Sequence, residues 1–158
     1  MHAYFFIQPD GQIVSRVVYQ EPPAEVPTPE GLLAFATTEA TLLDAPFEAL
    51  AVSIGGGQVQ AVALKPRVIF TPDKWVIVAA DPPVDKAVVG VRVEGADPMP
   101  PAIAVDVNGL EETVALTEGV GSLEVYARQA CNPQISVVDA AAYYDGGGIT
   151  LTAEAAGA

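Results

Sequence analysis

Beyond residue 67 the sequence is a succession of short apolar runs, each closed within a few positions by Gly, Pro, Asn or Asp. This punctuation constrains the fold more than any other feature, because Pro and Gly interrupt helices and mark turns. The runs cover residues 68–71, 74–79, 88–94, 103–107, 112–117, 122–128, 134–138 and 149–153. Several alternate with a period of two. Val89, Val91 and Val93 oppose Arg92 and Glu94. Leu123, Val125 and Ala127 oppose Glu124, Tyr126 and Arg128. Ile149, Leu151 and Ala153 oppose Thr150, Thr152 and Glu154. Alternation of this kind gives each strand one apolar and one wet face, as in an antiparallel sheet layer. Short strands at this spacing predict an immunoglobulin-like β-sandwich over residues 67–158, with Trp75 a candidate for its core.

Residues 1–66 read as a separate small module, with a seam at Lys65-Pro66-Arg67, so the chain is predicted to be all-β throughout. Tyr4-Phe5-Phe6-Ile7 and Ile13-Val14-Ser15-Arg16-Val17-Val18-Tyr19 are aromatic and β-branched runs of strand length. Pro9-Asp10-Gly11 between them is turn chemistry, so a hairpin is predicted. Ile13, Ser15, Val17 and Tyr19 are expected on one face of its second strand. Four prolines between Pro22 and Pro29 then exclude helix and central strand and predict an extended surface connector. A short strand is expected over residues 32–36 and a turn or two of helix over 38–44. A second hairpin, 50–54 with 58–64, reverses at Gly55-Gly56-Gly57. No Lys-Ser/Thr follows those glycines, so they are not a phosphate loop.

Charge removes several function classes. Seven Lys or Arg against twenty Asp or Glu give a net charge of −13. Such a surface repels phosphate backbones, so no nucleic-acid binding is expected. No apolar run approaches the roughly 18 residues of a membrane span, so no membrane insertion is expected. The first ten residues carry neither a basic start nor a long apolar stretch, and no export signal is read there. Cys131 and His2 are the single cysteine and histidine, which leaves no disulfide, no thiolate zinc site and no imidazole-dependent nucleophile. Asp81, Asp85, Asp97, Asp139 and Asp145 fall in predicted loops. They are read as turn-defining acids rather than a catalytic pair or a calcium site, since no Asp-x-Asp-x-Asp-Gly loop occurs. No catalytic residue, metal or cofactor is predicted.

Aromatic residues remain as candidate contacts. Tyr4, Phe5 and Phe6 on the first strand are candidate partner-binding residues, as are Tyr143 and Tyr144 ahead of Gly146-Gly147-Gly148. Tyrosine beside flexible glycine suits a recognition loop, and a Tyr packed back against the sandwich is the competing reading.

Three places carry a family resemblance: Pro9-Asp10-Gly11-Gln12-Ile13-Val14; Gly56-Gly57-Gln58-Val59 followed by Lys65-Pro66-Arg67; and Val105-Asp106-Val107-Asn108-Gly109 with Thr117-Glu118-Gly119-Val120-Gly121-Ser122-Leu123-Glu124-Val125. In this layout the chain resembles small structural proteins associated with the tail fibres and baseplates of tailed bacteriophages. The resemblance implies a non-enzymatic virion protein, made in the host cytoplasm and located in the tail or on the capsid surface. Its partners would be other virion proteins, including copies of itself. A capsid decoration protein, and a carbohydrate-binding or cell-surface adhesion module that contacts a host glycan, are the alternatives.

Overall fold

The computed structural model describes residues 1–157. The protein is all-β, with 51% of residues in strands and 4% in helices. It divides into two compact units, Met1–Lys65 and a second that begins at Pro66.

In the first unit β1 (His2–Ile7) lies between β2 (Ile13–Tyr19) and β3 (Leu33–Thr37), antiparallel to both. The β1–β2 turn closes as its residues dictate. The Gly11 N–H donates to Gln8 O (2.8 Å), Gly11 takes φ 95°, and the Gln12 N–H donates to Asp10 Oδ1 (2.9 Å). The proline-rich segment then carries the chain past β1, so β3 pairs on the side away from β2. One helical turn, α1 (Ala40–Leu43), and a 3-10 turn at Phe47–Ala49 lead into the hairpin of β4 (Leu50–Gly55) and β5 (Gln58–Leu64). Gly56 and Gly57, at φ 62° and 75°, form its two-residue turn, the geometry that matches strand twist. Ala3, Phe5, Ile7, Leu42, Ala45, Leu50 and Val62 form one buried cluster, which joins sheet, helical turn and hairpin.

The face pattern of β2 differs from the expected one. The register shifts between Phe6 and Ile7: Ile7 opposes Ile13, whereas Phe6 opposes Ser15. Val14 is the extra residue of a β-bulge, which reverses the alternation at that point. Ile13 therefore packs towards the unit's core, while Ser15, Val17 and Tyr19 follow the opposite face.

The second unit contains a sheet in the order β11-β8-β6, from β6 (Arg67–Pro72), β8 (Ala87–Glu94) and β11 (Val120–Val125). A second sheet runs β10-β9-β12-β13, from β9 (Ala102–Val107), β10 (Leu110–Ala115), β12 (Gln134–Val137) and β13 (Ile149–Thr150). One core takes residues from both: Val89, Val91, Val93 and Leu123 from the first, Ile103, Val105, Val114 and Ile135 from the second. β7 (Val76–Ala79) pairs in parallel with β14 (Thr152–Ala155). The run expected as one strand over 149–153 is thus two. Leu151, fully buried, donates its N–H to Pro133 O (2.8 Å) between β13 and β14, and there the chain changes strand partner.

Trp75 is not in the core. It lies in the bend before β7 with 55% of its surface exposed, and Ile77 and Ala79 fill the inward positions. A strand pattern predicts which side a residue faces only inside the strand.

Acidic residues brace the ends of this unit's strands. Asp85 accepts hydrogen bonds from the Val78 N–H (2.9 Å), the Lys86 N–H (2.9 Å) and the Lys74 ammonium. The Lys74 hydrogen bond, and then that from Val78, hold the Asp85 carboxyl below its ordinary 3.8. A carboxylate with a lowered folded pKa stabilises the fold above its unfolded pKa. That contribution disappears as pH falls through the folded value. In thermal melts Asp85→Asn should therefore melt below wild type at pH 7, with the gap closing as pH falls below about 4. A gap that stays constant across this range would mean that the Asp85 charge is not what braces β7.

Candidate functional site

The aromatic residues of β1 divide between the two faces of its sheet. Phe5 is fully buried in the first unit's core. Phe6, on the opposite face, is 5% exposed between Ser15 and Ala34 of the flanking strands. Their expected role as exposed contacts is corrected on this ground: a ring without accessible surface offers a partner nothing. Tyr4 is half-buried, with its ring edge-on to Tyr19 at a centroid distance of 5.7 Å and an interplanar angle of 81°. Of the three, Tyr4 alone keeps appreciable surface.

Tyr143 and Tyr144 belong to the second unit's framework. Tyr143 packs against its core. Tyr144 is half-buried and is laced to the start of β6: its N–H donates to Pro66 O (3.0 Å), and its O accepts from the Val68 N–H (2.9 Å). The following turn is held by Asp145, whose Oδ2 accepts from the Val137 N–H and Oδ1 from the Gly147 N–H, both at 2.9 Å. Gly148 is required there. It has φ 79°, and a Cβ would lie 2.2 Å from Ile135 O. The packing reading of this segment, rather than the mobile recognition loop, fits these bonds.

The loop acids do not gather. Asp139 accepts from the Ala142 N–H, Asp81 pairs with exposed Arg128, and Asp97 makes no side-chain hydrogen bond among the described residues. Among the described residues no group of three or more His, Cys, Asp or Glu side chains is placed to hold a metal. Cys131 is half-buried, and its backbone exchanges two hydrogen bonds with Ala153 (3.1 and 2.8 Å). An open hollow of about 210 Å³ joins Cys131 to Glu112, Glu124 and Tyr126. Its Glu124 carboxylate is already engaged by Lys86 (2.7 Å) and by the Tyr126 hydroxyl. Among the described residues no helix is long and apolar enough to cross a membrane.

What the sequence reading missed is Arg16. The bulge at Val14 turns its side chain to the core side of β2, opposite Phe5. There Nη1 donates to Ala45 O (2.6 Å) and Leu42 O (3.1 Å), and the guanidinium lies 5.2 Å from the Phe47 ring centre and 5.7 Å from that of Phe5. It satisfies carbonyls that end α1 and stacks on aromatic faces, which a planar guanidinium does better than an ammonium. It also draws the one charge of β2 off the strand's outer edge. That edge is unpaired in the sheet and exposes Val14 (47%), Val17 (36%) and Val18 (42%). The available signal was a strand-prone run with no carboxylate between Asp10 and Glu21.

Arg16→Ala should cost the first unit about 1.5–3 kcal/mol, the usual range for hydrogen bonds to a charged group. Arg16→Lys should recover only part of this. Chemical denaturation of the three proteins measures it, and full recovery by Lys would show that charge alone suffices.

No family model, no curated protein and no solved structure matches the chain.

Proposed function

We propose that the chain is a non-enzymatic bacteriophage virion protein, a tail, baseplate or fibre-docking component that acts by protein–protein assembly. The observation that carries this reading is the open edge of β2, which exposes Val14, Val17 and Val18 and holds no carboxylate on a chain of net charge −13. Unpaired edge strands attract other strands, and most natural sheets block them with charge, proline or a covering segment. An edge left open is suited to assembly. The engagement of the acids and of Tyr143–Tyr144 in framework bonds favours a scaffold over a catalyst.

The second unit is read as an immunoglobulin-like module. Supporting this, β6, β8 and β11 correspond in order to strands A, B and E, while β9, β12 and β13 correspond to C, F and G, with β10 beside β9 as a C′ strand. Modules of this kind bury their core without disulfide or cofactor and leave loops and edges for attachment.

The test is immunogold labelling of purified particles with antibodies raised against the chain, with mass spectrometry of the same particles. Labelling at the tail is expected. Labelling on the head would move the protein to capsid decoration, and its absence from intact particles would overturn the reading.

A further inference from the structure

Three edge strands of the second unit, β10, β7 and β6, carry a recognisable blocking device. β10 carries exposed Glu111 and Glu112. On β7 the Val78 N–H is taken by Asp85, and on β6 the Val68 N–H is taken by Tyr144 O, with Pro72 ending the strand. β2 has no such device. Its bulge at Val14 limits the regular stretch to Ser15–Tyr19, which pairs residue for residue with His2–Phe6 on its inner side. Those five residues include no proline, glycine or carboxylate, and Arg16 is folded onto Leu42 O and Ala45 O.

Val17 is the centre of that stretch, which makes the edge complementary to itself. A two-fold axis normal to the sheet at Val17 pairs every regular residue with one on the same face of a second chain. Val17 meets Val17 of the other copy, Ser15 meets Tyr19, and Arg16 meets Val18. No charge opposes a like charge. Moving the axis by one residue, to Arg16, would set two arginines opposite each other, and moving it to Ser15 would draw the bulge into the ladder. β3 has only Ala34 and Ala36 at its exposed positions, too little apolar surface to compete.

Resting on the reading of the chain as an assembly component, we propose that Ser15–Tyr19 of β2 pairs antiparallel with the same segment of a second copy, with Val17 on the two-fold axis. The two three-stranded sheets then become one continuous sheet across the dimer. The acidic groups that flank the edge, Asp10 and Glu21, lie outside the paired stretch.

The test is a charge swap in the full chain. Val17→Lys and Val17→Glu each place like charges directly across the axis, where cross-strand partners lie about 5 Å apart. Wild type should dimerise with rising concentration in sedimentation or light scattering. Each variant alone should stay monomeric at concentrations where wild type is at least half dimer, and an equimolar mixture should regain dimer containing one chain of each. Circular dichroism of each variant checks its fold, and Val17→Arg with Val17→Asp replaces any variant that unfolds. A wild type that is monomeric at every concentration, single variants that still dimerise, or a folded pair that fails to recombine would each overturn the pairing. Particle labelling reads the virion assignment separately, so failure of the pairing and failure of that assignment are distinguishable.

Discussion

The position of the Arg16 guanidinium governs much of what the first unit holds together and what it presents. Two carbonyls at the end of α1 and the faces of Phe5 and Phe47 receive it. The helical turn is thereby fixed against the sheet by a group whose donors and flat face are both used. The same contacts hold the only formal charge of β2 on the core side of the sheet. Internal stability and the placement of the strand's charge thus have one cause, and that cause requires the bulge at Val14, which sets Arg16 on the core side.

Net charge gives this edge its significance. Thirteen excess negative charges keep copies of the chain apart at long range, an effect that salt weakens over a Debye length of about 8 Å at physiological ionic strength. Any association has to use a surface where that repulsion is locally absent. In the second unit β10, β7 and β6 are blunted by Glu111 and Glu112, Asp85, and Pro72 respectively. Ser15–Tyr19 offers backbone groups and exposed valines without a carboxylate. General repulsion combined with a carboxylate-free edge favours a defined contact over indiscriminate aggregation.

The sequence made some features legible and concealed others, for reasons that can be stated. Period-two alternation was readable in Val89, Val91 and Val93 and in Leu123, Val125 and Ala127, all of which are buried, because a strand with one wet face must alternate. The Asp10-Gly11 and Gly56-Gly57 reversals were readable because positive φ demands those residue types. The bulge at Val14 was not, since an inserted residue leaves no mark in a run of β-branched side chains. Phe5 and Phe6 looked like surface candidates because adjacent aromatics on a strand point to opposite faces, and the sequence does not say that both faces are shielded. Tyr144 was ambiguous because its backbone partners, Pro66 and Val68, lie far away in the chain, and Tyr143 because the core it packs against is assembled from distant strands. The open edge of β2 was hidden for a related reason: an edge is defined by which neighbour is absent, and pairing order is a property of the fold.

Hydrogen–deuterium exchange of the β2 amides across a concentration series tests this account most directly. Strand pairing closes amides on the outer edge of Ser15–Tyr19 while leaving β10 and the rest of the chain unchanged. Exchange in that segment should slow as concentration rises, in step with the dimer fraction. Exchange independent of concentration there, or protection that appears on another strand, would contradict it.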